Sequence, residues 1–564
     1  MENKYLLKGD LSGIQDFIFN VSSKKAAKSL KSRSFYVQIV GDLALKFIES
    51  DITDLDDFSC EVLYNGGGNF YLNIYTNKND EEVVQEVNKW QRDICEELIY
   101  DELYIALSLK KDKGDFGETW ANINKESNIS KNRKFESEFN LKLFQPYSFK
   151  NKENDKDNQR WYDATSYIYD GIVNKRWATV TESMVKKGYL KTKLFCELKN
   201  IKFEESFKTI ANKLPLWDKA IRKNNSELIE KVVNIEKEKD SNYIEPKDGN
   251  IIDFTFISEF AKERTGTAKL GILKMDVDDL SKLFRDINNE KDGKEISGKL
   301  GDFFDKHIYE IWENDFQSFK PSDNIEETKI PYKYNIYPVF TGGDDCFFIG
   351  AWDAILSFTK TINSDFESFV RGRNNIVNNN QKIIHKDKKS DSKEQEVFPT
   401  LSAGIVIVDE HYPVVQFAEL VEEAIGKAKK RKKKGETVKN AITIFDEVFT
   451  WEDYNEIIEV AEKFAVLIRE EKASKSVLER IRQSSAGYEK LYIDAKKGSL
   501  KFPRVDRLRY YLRGAGNEAE GFYEKYIFTD YKDALINAFE GQIKMNPMKY
   551  PVAARIAEFK LRTN

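Results

Sequence analysis

The chain alternates apolar runs with polar stretches, and two of those runs end on acids. Leu270-Gly-Ile-Leu-Lys-Met-Asp-Val-Asp-Asp279 reads as a buried strand that stops at carboxylates. Tyr337-Pro-Val-Phe-Thr-Gly-Gly-Asp-Asp-Cys-Phe-Phe-Ile-Gly350 reads as two strands around a Gly342-Gly343 turn, with Asp344 and Asp345 directly after it. After Asp276 the apolar positions Leu280, Leu283 and Phe284 change to helical spacing, as expected of a helix that follows its strand. Further on, Thr400–Val408 predicts a strand and Phe417–Lys434 a helix, with Leu420, Val421, Ala424 and Ala428 on one side. Asn440–Phe445 predicts a closing strand.

The same order occurs near the N-terminus. Leu6-Leu-Lys-Gly-Asp10 matches Ile272-Leu-Lys-Met-Asp276, and Ile14, Phe17 and Ile18 repeat the helical spacing. Leu63-Tyr-Asn-Gly66-Gly67-Gly68-Asn69 matches Val339-Phe-Thr-Gly342-Gly343-Asp344-Asp345. The chain therefore reads as two copies of one strand–helix–hairpin module, each a ferredoxin-like Palm sheet. The expected class is α+β: a first Palm over residues 1–105, an α-rich linker over 106–260, a second Palm over 261–448 and a C-terminal helical domain over 449–564. Lys111–Lys134 and Lys150–Gln159 look like loops, and polar Asn374–Glu396 reads as a mobile insertion. A helical stripe follows at Ile457, Val460, Ala461, Phe464, Leu467 and Ile468, with trailing helices near Phe522–Ala538 and Val552–Leu561.

The two copies differ at the turn, where the first has Gly68-Asn69 and the second Asp344-Asp345. Carboxylates at strand ends suit hard divalent cations. Asp276, Asp344 and Asp345 are the candidate catalytic residues, and Asp276, Val277, Asp344 and Asp345 the candidate positions for two Mg²⁺ or Mn²⁺ ions. Such a pair stabilises the attacking and leaving oxygens of a phosphoryl transfer. Nucleotide contacts are expected from Gly66, Gly67, Gly68 and Asn69 in the first copy. In the second they are expected from Asp278, Asp279, Gly342, Gly343, Lys429 and Lys439. Asp278 and Asp279 suit helix capping equally well. The substrate would be a nucleoside triphosphate, with pyrophosphate leaving.

Composition narrows the partners. The 564 residues carry a formal net charge of -5, so a nucleic-acid surface has to be local. Basic and aromatic residues interleave around Arg504, Arg507, Arg509 and Arg513, a pattern that suits RNA or a charged helix face. Lys24, Lys25, Lys28, Lys31 and Arg33 form a second basic cluster, and seven of the eight residues Lys427–Lys434 are basic. The four cysteines form no CxxC pair, which argues against a zinc ribbon or a disulfide framework. None of the three histidines precedes an Asp, so the usual His-Asp metallohydrolase motif is missing. No signal pattern or membrane span is read, so a cytoplasmic location is expected.

These residues together resemble the large Palm-domain subunit of type III CRISPR effector complexes, the Cas-ten superfamily. The resemblance rests on Gly9-Asp-Leu-Ser-Gly-Ile-Gln-Asp-Phe-Ile18, Tyr64-Asn-Gly-Gly-Gly-Asn-Phe70, Met275-Asp-Val-Asp278, Gly342-Gly-Asp-Asp345, Leu401-Ser-Ala-Gly-Ile405 and Lys439-Asn-Ala-Ile-Thr443. It implies synthesis of cyclic oligoadenylates from ATP when a guide RNA in the complex pairs with target RNA. It also implies partner effector subunits and no membrane. Many relatives begin with a His-Asp nuclease domain, which this sequence is expected to lack. Three alternatives stay open: transfer of AMP to another small molecule such as S-adenosylmethionine, a diguanylate-cyclase-like enzyme, and a non-catalytic scaffold.

Overall fold

The computed structural model describes residues 3–132 and 213–562, apart from 22–25, 67, 98–102, 240, 242, 286–289, 320–325, 372–384, 387–395, 398, 434–435, 486–491, 495–498, 502–503, 514–516 and 540–545. The first module runs β1 (Asn3–Ser12), α1 (Ile14–Phe19), α2 (Ala26–Asp54), β2 (Phe58–Gly66), β3 (Asn69–Thr76), α3 (Asp80–Glu97) and β4 (Tyr104–Lys111). Its strands lie in the order β2-β3-β1-β4, and every neighbouring pair is antiparallel. This is the ferredoxin-like arrangement. β4 carries the Palm past the expected edge at residue 105. Lys111–Lys134, expected as loop, holds α4 (Phe116–Asn132). Asp115 caps it by accepting from the Glu118 amide at 2.9 Å. Phe116, Trp120, Ile123 and Ser127 form its buried face. α4 packs on β1 and β4, opposite the side covered by α2 and α3, so β1 is buried on both faces.

The second module begins with α5 (Phe254–Thr265), capped by Asp253 and ended by Gly266 in the left-handed region at φ 73°. It continues with β5 (Leu270–Val277), α6 (Leu280–Arg285), α7 (Glu290–Asp302), the hairpin β6 (Ile336–Thr341) and β7 (Asp345–Ala351), α8 (Trp352–Val370) and β8 (Leu401–Val408). The order β6-β7-β5-β8 repeats the first sheet, again with antiparallel neighbours. α9 (Val414–Lys429) begins earlier than expected and ends at Lys429, where a short Lys432–Lys433 strand turns the chain. The closing strand β9 spans only Ile442–Ile444. It pairs in parallel with β8, and β10 (Glu447–Phe449) extends the sheet to six strands. Gly404 lets α9 sit close on β8, since a Cβ there would stand 2.6 Å from the Ile425 amide nitrogen.

α10 (Trp451–Arg469) buries the expected stripe, from Ile457 to Leu467. α11 (Ser476–Ser484), α12 (Val505–Leu512) and α13 (Lys549–Lys560) follow, and α13 packs on α10. The expected helix near Phe522–Ala538 is a run of shorter pieces, Asn517–Phe522, a π-turn at Tyr523–Phe528 and Thr529–Phe539. Thr267 donates to the Phe559 carbonyl at 2.8 Å, which fastens this region to the second Palm. One apolar core runs from Tyr5 to Leu561. Most of the linker, including Lys150–Gln159, and most of Asn374–Glu396 lie outside the described residues. Among the described residues no helix is long and apolar enough to cross a membrane.

Candidate active site between the two Palms

Asp276 and Asp345 are register partners across β5 and β7, so both side chains leave the same face of the sheet. Directly opposed Cβ atoms stand about 4.5–5.5 Å apart. Asp344 lies in the turn, where the Val277 amide donates to its carbonyl at 2.9 Å. Gly343 makes the turn possible with φ 78°. Burial, then the Asp276 carboxylate, push Asp344 up to about 7. Burial and Asp344 push Asp345 well above the usual carboxylate range. Lys429 and Lys274 counteract both shifts only in part. The site is therefore short of positive charge. Lys429, at the end of α9, lies 2.5 Å from Asp276, and Lys274 pairs with Glu422. Among the described residues no three His, Cys, Asp or Glu side chains stand close enough together to hold a metal ion as they are. The fit to a divalent cation rests on the donors: three hard carboxylates with their charge under-compensated.

The first Palm reproduces this frame without the acids. Asp10 is the register partner of Asn69, as Asp276 is of Asp345. The Leu11 amide donates to the Gly68 carbonyl at 2.8 Å, the counterpart of the Val277–Asp344 bond, and Gly68 has φ 78° like Gly343. Lys8 lies 2.8 Å and Lys131 2.6 Å from Asp10. Ser127 donates to the same carboxylate at 3.0 Å. With its amide nitrogen turned inward, Asn69 donates to it at 3.0 and 3.3 Å. Burial would raise Asp10, but Lys8 and Lys131 outweigh it and hold the group below the usual range. Two ammonium groups thus neutralise the acid that, in the second Palm, faces two more acids.

The glycine hairpins of both Palms line one chamber of about 260 Å³, with Gly66 and Gly68 on one side and Gly342 and Gly343 on the other. Gly67 lies outside the described residues. A second chamber of about 160 Å³ lies on the Asp344 side, against Lys8, Asn69 and Trp120. Tyr64 lines both, and burial with Asp344 and Asp305 nearby holds its phenol well above its ordinary value.

Several expected nucleotide contacts are engaged elsewhere. Asp278 accepts from Thr400 at 2.8 Å, Ser402 at 2.7 Å and the Asn440 amide at 2.9 Å, which ties β5 to β8 and β9. Lys439 pairs with Asp279 at 2.7 Å. Lys31 and Arg33, members of the basic cluster near the N-terminus, are buried and donate to the carbonyls of Pro338 and Phe17 at 2.5 and 2.6 Å. Arg504, Arg507, Arg509 and Arg513 flank or lie on α12 and line neither chamber. Arg513 sits over exposed Tyr510 at 3.8 Å, and Arg509 pairs with Glu524 at 2.7 Å. The sequence reading missed Tyr64, Asp42 and Asp305 as site residues. Only Tyr64 fell within a motif.

Two glycine hairpins facing each other across a shared chamber, one acidic and one neutralised, define a double-Palm protein. Residues 269–443 match the family model "Cas10/Cmr2, second palm domain", and residues 3–148 match "Csm1 subunit domain B", between them more than half of the chain. A relative from Methanocaldococcus jannaschii, named CRISPR system single-strand-specific deoxyribonuclease Cas10/Csm1 (subtype III-A), is 27% identical over 527 residues, covering 80% of this chain and 60% of that protein. A namesake from Enterococcus italicus is 24% identical, covering 81% and 56%. The chain thus spans little more than half the length of these relatives. Among solved structures, a Csm1-Csm4 cassette in complex with pppApApA aligns over 99% of this chain and 70% of that one, with TM-score 0.59 and 17% identity. The cassette in complex with AMPPNP aligns with TM-score 0.58 and 18% identity. At that identity the likeness is one of fold. The chain belongs to the Cas10/Csm1 family, the Palm-domain large subunits of type III CRISPR effectors.

Proposed function

We propose that this chain is a nucleotidyltransferase of a type III CRISPR effector that builds cyclic oligoadenylates from ATP when guide RNA pairs with target RNA. The observation that carries the reading is the acidic triad Asp276, Asp344 and Asp345 set against a neutralised copy of the same frame at Asp10 and Asn69. In the reaction a ribose hydroxyl attacks the α-phosphorus. The new O–P bond forms, the bond to the β-phosphate bridge breaks, pyrophosphate leaves, and the hydroxyl proton passes to solvent. Asp276, Asp344 and Asp345 would hold Mg²⁺ or Mn²⁺, with Val277 contributing its main chain. The bound ions would supply charge for the attacking and leaving oxygens. Lys274 and Lys429 set the charge beside the triad, and the Gly342-Gly343 turn brings backbone rather than side chains to the phosphates. Relatives of this fold have been solved with AMPPNP, pppApA and cA4 bound and beside Csm4, which supports ATP as substrate and a Csm4-type neighbour.

The test is mass spectrometry of products from the assembled complex with guide RNA, target RNA, ATP and Mg²⁺ or Mn²⁺. Oligoadenylates should form only with target RNA. Replacing Asp344 and Asp345 together by Ala should lower synthesis at least about a thousandfold and leave assembly intact. Persistent synthesis in that variant would overturn the site. Parallel reactions with S-adenosylmethionine or GTP would reveal an AMP conjugate or a guanylate product instead.

A further inference from the structure

The chamber between the hairpins is lined by two acids, Asp42 and Asp305, that the reaction above does not use. Asp42 on α2 accepts from the Asn65 amide at 2.8 Å. Asp305, in the π-turn after α7, accepts from the Thr341 hydroxyl at 3.1 Å. Asn65 and Thr341 hold the same place, one residue before the glycines of their hairpins. The two halves have thus each built a helix carboxyl onto a glycine turn, although their helices differ in length and spacing.

Each carboxyl receives one hydrogen bond from a side chain. Neither has an ion-pair partner within 4.0 Å among the described residues, since Lys46 pairs with Glu49 and Lys306 with Asp302. A carboxylate offers about four acceptor sites, so both residues lining the chamber have acceptor capacity beyond the one bond each receives. Burial raises Asp42, and it lifts Asp305 to about 6, as expected where water satisfies the groups poorly. The lining includes an apolar surface of Ile14, Ile18, Val37 and Phe340, with the polar side chains of Gln15 and Gln38 beside it. Asp345 and the Gly342-Gly343 turn line the same chamber, and phosphates would lie beside them. The carboxylates of Asp42 and Asp305 repel phosphate. A flat group with N–H donors at its edge suits an apolar surface with carboxylate acceptors in the same lining.

We propose that Asp42 and Asp305 are specificity-determining residues that accept hydrogen bonds from amino groups on the base of a bound purine nucleotide. The inference rests on the nucleotidyltransferase reading and names what that site selects.

The probe is purine riboside triphosphate, which keeps the ring and phosphates of ATP but lacks the 6-amino group. Binding of both nucleotides to the full chain is measured by equilibrium dialysis, which needs no turnover, and kcat/KM is measured beside it. A hydrogen bond to a charged group corresponds to a preference of about tenfold or more for ATP. Asp305→Ala and Asp42→Ala should bring that ratio toward one. Asp305→Asn, which keeps an acceptor oxygen and the shape, should retain part of it. A preference for GTP, whose N1–H and 2-amino groups are donors, would support the carboxylate reading with guanine as the source. A wild-type ratio near one, or a ratio unchanged in the Ala variants, would overturn the proposal. Donor-dependent binding without any product would leave the inference standing and sink the proposed reaction. Product formed with no donor preference would do the reverse.

Discussion

Gly343 shows how tightly single residues are fixed across the two Palms. Its φ of 78° disfavours a side chain, and a Cβ would stand 2.3 Å from the hydroxyl of Tyr64, which belongs to the other Palm. Gly343→Ala should therefore lower both the melting temperature and nucleotide turnover. Tyr64→Phe in the same chain should restore the space but leave a backbone cost of about 1 kcal/mol. Melting curves of the single and double variants check this. If Tyr64→Phe recovers nothing, the clash is not what Gly343 avoids. Asp276, Asp344 and Asp345 were legible in the sequence because acids at the ends of apolar strands break the pattern that folding alone would favour. Asp42 and Asp305 were not, because a carboxylate within a helical pattern looks like a solvated face until the helix is docked. Asp278 misled for the opposite reason. It stands two residues after Asp276, just past the end of β5, yet its carboxylate is taken up by Thr400, Ser402 and the Asn440 amide.

At the scale of elements, the repeat carried most of the fold. Strand, helix and glycine hairpin recur in order, and the two registers agree residue for residue at Asp10–Asn69 and Asp276–Asp345. α4 escaped because its polar majority hid a narrow stripe. That stripe supports the site: Trp120 stacks on Tyr71 of β3 at 4.0 Å and on Phe284 of α6 at 4.9 Å. α6 follows the strand that ends in Asp276, so a helix of the first Palm steadies the turn beside the acidic triad. Farther along α4, Ser127 and Lys131 hold Asp10. Trp120→Ala should cost about 3–5 kcal/mol. It should also speed amide hydrogen exchange in Leu280–Phe284 relative to α13, which packs on α10 in the C-terminal region. Equal changes in both segments would mean a general loosening rather than a lost clamp.

Taken as a whole molecule, the two Palms share one apolar core and are joined by bonds between residues far apart in the chain. The Tyr337 hydroxyl of the second Palm donates to the Ala27 carbonyl on α2, and Lys31 on α2 donates to the Pro338 carbonyl at 2.5 Å. Tyr337 and Lys31 are both fully buried, and burial holds the Lys31 ammonium well below its ordinary pKa. Partners some 310 residues apart leave no trace in local sequence pattern, which is why the repeat could be read but not the way its copies meet. The Ala27 carbonyl also accepts within α2, so losing the Tyr337 hydroxyl removes one additional hydrogen bond, worth about 0.5–1.5 kcal/mol. Tyr337→Phe should therefore lower stability by that amount, and the loss should appear in both Palms at once. Calorimetry should show one shifted transition for the paired Palms. Hydrogen exchange should show β1 and β5 losing protection together, since one apolar core serves both. If β5 loses protection while β1 keeps it, the Palms fold separately and the boundary is only a contact. If they move together, a change at the neutralised Palm reaches the acidic triad through the same core, and the first Palm takes part in setting the geometry of a site whose acids it lacks.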